Sequence, residues 1–126
     1  MHTPAERVTD AELDILRVLW AAPGPMTAAE VRAALPGRNP DTAKTLLRRL
    51  CQKGAAAQLK RDVFVYRPLV TSAELARCRT QRLIDTLYGG SAKAMVAAMA
   101  QNDLLRREDV EELRRMFDAL CRMGGK

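Results

Sequence analysis

The chain has 126 residues, 48% hydrophobic, 29% charged and only 4% aromatic, with a formal net charge of +6. This is a globular rather than a disordered composition; no apolar run approaches a membrane span and the start carries no signal-peptide core, which points to a cytoplasmic protein without membrane insertion. The length allows one domain or two small modules, and a module of about 60 residues buries only about 60% of its unfolded surface, so any division calls for a partner subunit.

In chain order, three stretches share one pattern: "VTDAEL" (8–13), "MTAAEV" (26–31) and "VTSAEL" (70–75). In each, the threonine can cap a helix while the glutamate three residues on reaches back to the cap amide, with flanking apolar residues as a staple. The first helix is expected from about Asp10 to Ala21, with Leu13, Leu16, Leu19 and Trp20 inward, and "PGP" at 23–25 stops it. The second runs from about Ala28 to Leu35 and ends at "PG". Asn39 then offers an N-cap, Pro40 suits the first helical position and Asp41 suits the positive end of the dipole. The third helix continues to Lys53, where Gly54 ends it.

After Gly54 the periodicity changes. A β-branched and aromatic run from Val63 to Tyr66 reads as a strand, and Lys60-Arg61-Asp62 sit where a hairpin would turn. Three helices followed by a hairpin is the layout of a winged helix-turn-helix, a mainly α fold, over residues 1–70. Residues 71–126 read as helices at about 72–88, 92–101 and 107–122. They place Leu75, Leu83, Ile84, Leu87, Met95, Met99, Val110, Leu113, Phe117 and Leu120 at helical spacings, with no further independent core to close. This second region is expected to join two copies of the chain into a homodimer.

The charge is concentrated. Between Arg38 and Arg67 stand eight basic residues against Asp41 and Asp62, while the rest of the chain has thirteen of each sign. A localised positive field is the electrostatic footprint of a nucleic-acid binder. Within it, "NPDTAKTLLRRL" (39–50) puts Ala43, Leu46, Leu47 and Leu50 on one stripe. Asp41, Thr45, Arg48 and Gln52 lie opposite, with Thr42, Lys44 and Arg49 on the flanks. Arg can fork to guanine or phosphate, Thr can touch thymine methyls or phosphates, and Lys supplies a point charge, so the outer face suits a major groove. A helix with a basic outer face is often merely solvated. The capped helix before it, the short turn and the basic hairpin after it favour double-stranded DNA as partner over solvation. The rival of a different class is an adaptor that uses the same face for protein contact.

The run "TDAELDILRVLW", then "MTAAEV", "PDTAKTLLRRLCQKG" and "VYRPLV" resembles the penicillinase-repressor (BlaI/MecI) family of bacterial winged-helix repressors, and the tail "GGSAKAMVAAM…REDVEELRRMF" is similar to that family's dimerisation region. The resemblance covers about Val8 to Leu120. It implies a winged helix followed by helices that interlock two subunits. It also implies a repressor acting on a palindromic operator, often of a β-lactam resistance operon. The DNA-facing positions it implies are Thr42, Lys44, Thr45, Arg48 and Arg49, with Lys60 and Arg61 in the wing. Three departures stand out. Asp41 replaces a usually basic or neutral residue, and the wing lacks the usual Gly-Arg turn and is a residue shorter. The Asn-Phe bond at which relatives are cut by a membrane-bound sensor protease aligns with Ala98-Met99. Release from the operator is then expected through a protease of altered specificity, a ligand or turnover.

Enzymatic chemistry is not expected. His2 is the only histidine, there is no Gly-rich phosphate loop, and Glu108-Asp109 and Glu111-Glu112 read as a solvated helix face. Cys51, Cys78 and Cys121 are odd in number and far apart, which fits apolar helix faces in a reducing compartment rather than disulfides. They lack metal-ligand spacing, so neither a metal nor another cofactor is expected.

Overall fold

A computed structural model of the chain describes residues 3–37 and 39–124; His2 and Arg38 lie outside them. After a short 3-10 helix (Pro4–Arg7) come α1 (Asp10–Ala21), β1 (Met26–Thr27), α2 (Ala28–Ala34), α3 (Pro40–Gln52), β2 (Ala56–Lys60), β3 (Phe64–Pro68), α4 (Ser72–Leu87), α5 (Ala92–Gln101) and α6 (Arg107–Arg122). Contacts divide the chain into two compact units, the first ending at Thr80 and the second starting at Gln81. The fold is a mainly helical winged helix-turn-helix followed by further helices.

The capping pattern is realised at all three places. Thr9 and Glu12 exchange bonds of 3.0 and 3.2 Å, Thr27 and Glu30 of 2.8 and 3.1 Å, and Thr71 and Glu74 of 3.1 and 3.0 Å. Each capping threonine contributes about 1 kcal/mol by satisfying an otherwise orphaned amide. α3 stops where the sequence places the stop: Gly54 takes φ +80 and the Ala55 amide reaches back to the Leu50 carbonyl at 2.9 Å.

The core of the first unit is aliphatic. Ile15, Leu16, Val31, Leu47 and Leu50 are fully buried, with Leu19, Leu46, Ala43, Val70 and Leu75 close behind. Burial of each large side chain contributes about 1.5–3 kcal/mol. Leu13 and Trp20 pack partly buried against this core, and the Trp20 indole donates to the Val70 carbonyl at 2.9 Å. Ile15, absent from the expected inward set, is buried because α1 is covered by α2, α3 and β3.

The hairpin is part of a three-stranded antiparallel sheet in the order β1-β3-β2. β1 pairs Met26 with Tyr66 and Thr27 with Val65, and β2 pairs with β3 from Ala56–Pro68 to Lys60–Phe64. In the sequence "MT" reads only as the entry to a helix cap. Two residues have no periodicity of their own, and they become a strand only because β3 lies beside them. Val63, expected to begin a strand, instead lies in the turn, where its carbonyl accepts from the Arg61 amide at 3.2 Å.

The second unit has no comparable core. Among its described residues Ile84 is the one buried hydrophobic, and neither α5 nor α6 buries a residue. Leu87 is 66% exposed and Leu120 54%, and Leu83, Val110 and Phe117 are also exposed. Met95, Met99 and Leu113 are half-buried. Leu75, grouped by spacing with the dimer face, belongs to the core of the first unit instead. The chain before α4 is tied down by the Trp20 bond, and Arg79 on α4 binds the Asp10 carboxylate and donates to the Val8 carbonyl at 3.1 Å. Among the described residues, no helix is long and apolar enough to cross a membrane.

Candidate nucleic-acid interface

α3 is seated by its apolar stripe. Ala43 and Leu46 are 4% exposed and Leu47 and Leu50 are fully buried, against α1, α2 and β2. Asn39 caps it, its Oδ1 accepting from the Asp41 amide at 2.9 Å. A stripe so completely buried fixes which residues face outward. Lys44, Arg48 and Arg49 are exposed, and Thr42 and Thr45 half-exposed. The Thr45 hydroxyl donates to the Asp41 carbonyl at 2.9 Å. Its proton is thereby committed, and the side chain offers a neighbour its methyl group and an oxygen lone pair.

The outer side of α3 and the sheet enclose a cleft of about 660 Å³, lined by Asp41, Lys44, Thr45, Arg48, Cys51, Gln52, Gln58 and Tyr66. Lys44, Thr45 and Arg48 thus share one concave surface. Thr42 and Arg49 are not part of its lining. Lys60 and Arg61 stand at the tip of the hairpin, away from that lining, with the Lys60 ammonium 4.5 Å from the centre of the Phe64 ring. Such a contact holds the charge over the ring face while leaving its donors to solvent.

Gln58 and Tyr66 were missed by the sequence reading. They are cross-strand partners, and the Gln58 amide donates to the Tyr66 hydroxyl at 3.0 Å. The signal was present: a turn at 61–63 places 58 opposite 66. Cys51 also borders the cleft, and burial pushes its thiol up from the ordinary cysteine range. A shift in that direction disfavours the nucleophilic thiolate.

Not every cation of the basic stretch is available. The Lys53 ammonium lies 2.7 and 2.8 Å from the two carboxylate oxygens of Glu12, which is 1% exposed, and 2.9 Å from the Arg7 carbonyl. Its charge is neutralised inside the unit and locks the C-terminal end of α3 to the start of α1. By contrast, among the described residues Lys44, Arg48, Arg49, Lys60 and Arg61 have no ion-pair partner. Five unpaired cations on one helix face and one hairpin tip form a surface that gains most from a polyanion. Among the described residues there is no group of three His, Cys, Asp or Glu side chains placed to hold a metal ion.

Comparison with known proteins agrees with this geometry. The family model described as Penicillinase repressor matches residues 8–119. A protein named Penicillinase repressor from Staphylococcus aureus is 23% identical over 119 residues, spanning 91% of this chain and 94% of that protein. The solution structure of the DNA binding domain of the repressor BlaI superposes with a TM-score of 0.50 at 31% identity. It covers 58% of this chain and 93% of that domain.

Proposed function

Since the chain belongs to the penicillinase repressor family, we propose that it is a DNA-binding transcriptional repressor that works as a homodimer on a palindromic operator. The observation that carries this reading is the outer face of α3: basic side chains without ion-pair partners beside threonines, backed by a buried apolar stripe. Each protomer places α3 in a major groove. Lys44 and Arg49 hold phosphates and fix the register, Thr45 and Arg48 meet base edges, and Thr42 contacts the flanking backbone. Lys60 and Arg61 reach the adjacent backbone from the wing. A dimer seated there excludes polymerase from a resistance or stress operon.

Dimerisation is assigned to the helices after Val70, where Leu83, Leu87, Val110, Phe117 and Leu120 leave apolar surface open to solvent. Surface of that kind in a small unit lacking its own core is supported by a second copy. Release is assigned to cutting near Ala98-Met99 by a membrane-bound sensor protease, with ligand-driven release as the alternative. The bond lies in the last turns of α5. The Ala98 carbonyl accepts from the Asn102 backbone and side-chain amides at 3.0 and 2.7 Å, and the Met99 carbonyl from the Leu104 amide at 3.0 Å. Cutting therefore requires this turn to unwind first. It would sever α6 and replace one bivalent contact by two weak ones.

The test is binding of the purified chain to its own upstream intergenic DNA across a salt series. Six to ten phosphate contacts give a log–log slope of about −5 to −9 together with preference for a palindrome. A slope near zero overturns the reading and leaves the adaptor role. Immunoblots during induction test release: full-length protein that persists while the operon is on excludes cleavage.

A further inference from the structure

The outer face of α3 carries a carboxylate among its cations. Asp41, Thr45, Arg48 and Gln52 follow one another at helical intervals of four, three and four residues and line the same cleft, so they form a single stripe along the axis. Asp41 is exposed, and among the described residues its carboxylate has no ion-pair partner. It does not serve as the cap either: Asn39 does that, accepting the Asp41 amide at 2.9 Å. The other local bond at this residue uses its backbone carbonyl, which takes the Thr45 hydroxyl. What remains locally is attraction to the positive end of the helix, which any first-turn acid has.

On a surface that docks against phosphates, an unpaired carboxylate is repelled unless a donor faces it. In the major groove the donors are the amino groups of cytosine and adenine. Adenine presents its amino group beside the N7 lone pair, and guanine presents two acceptors. A side chain that can only accept is repelled by guanine and meets adenine half unfavourably. Cytosine offers a donor without an adjacent acceptor on the same base. Asp41 lies in the first turn, the part of a recognition helix that reaches base edges. We propose that Asp41 is a specificity-determining residue that accepts a hydrogen bond from the amino group of one cytosine in each half-site. The assignment rests on the DNA-binding reading above.

The experiment is selection from a library of palindromic duplexes with randomised half-sites, using the full chain and its D41N and D41A variants. Wild type should retain cytosine at one symmetric position, with about 5- to 150-fold discrimination against the other bases. D41N, whose amide matches the acceptor and donor of adenine, should shift that position to adenine; D41A should lose the preference there and keep it elsewhere. A wild type that is selective but shares its base profile with both variants, changing only in overall affinity, overturns the Asp41 assignment alone. A wild type that binds no DNA, or binds without preference, overturns the repressor reading as well. Circular dichroism on each variant confirms the fold, and the near-isosteric D41N carries the test should D41A be less stable.

Discussion

Replacing Lys53 with methionine isolates the ion pair that seats α3. The side chain of Glu12 is 1% exposed and that of Lys53 21%. K53M therefore leaves a carboxylate largely shielded from water, answered among the described residues by the Thr9 amide at 3.0 Å. Removing one partner of a buried pair costs about 3–5 kcal/mol. The retained amide and the partial exposure of Lys53 put this case at the lower end, about 3 kcal/mol. A unit of this size is stable by about 4–12 kcal/mol, so the loss is a quarter of it or more. Each kcal/mol is worth about 4–8 °C in Tm for a small domain, and thermal unfolding at fixed protein concentration should show a drop of more than about 10 °C. In an E12Q background, where no charge is left unpaired, K53M should cost less than about 1.5 kcal/mol. The salt slope of operator binding should be unchanged, because Lys53 spends its charge on Glu12 rather than on phosphate. A loss below about 1 kcal/mol in the wild-type background, or equal losses in both backgrounds, would refute the reasoning.

Other changes on α3 should separate positioning from readout. K44A and R49A should weaken binding alike on all sequences and flatten the salt slope by about one unit per lost contact in each subunit, whereas T45A and R48A should relax discrimination at particular base pairs by about 1–3 kcal/mol each. A fragment ending at Thr80 should fold and sediment as a monomer; one ending at Val70 loses the buried Leu75 and should unfold earlier by about 2–3 kcal/mol in denaturant titration. F117D and L120D should convert dimer to monomer in sedimentation while the winged unit keeps its thermal transition, and a dimer unaffected by both would move the interface elsewhere.

Local chemistry was legible in the sequence, and long-range pairing was not. The three Thr–Glu boxes need four residues each, and the stripe Ala43, Leu46, Leu47, Leu50 is a helical period, so the caps and the buried side of α3 could be read directly. The outward face followed from the stripe. Glu12 reads in sequence as a cap partner only; its burial arises because Lys53, forty-one residues away, folds onto it. The same applies to β1, which exists through β3, and to Leu75, whose spacing fits an interface but whose helix is tied to Asp10 of α1 by Arg79 and preceded by the Val70 carbonyl that Trp20 holds. Gln58 and Tyr66 could have been paired once the hairpin register was fixed, and misplacing Val63 in the strand hid it.

β1 changes what the wing is. A two-stranded hairpin on its own is marginal in water, and it would have to be ordered by whatever it binds at a cost of about 1–2 kcal/mol per residue in backbone entropy. Here β3 is held on both sides, and Thr27 closes the sheet while capping α2. The ordering has already happened during folding. Association of such a wing with DNA would resemble rigid docking more than coupled folding, with a heat-capacity change that reflects the contact area rather than ordering of the hairpin.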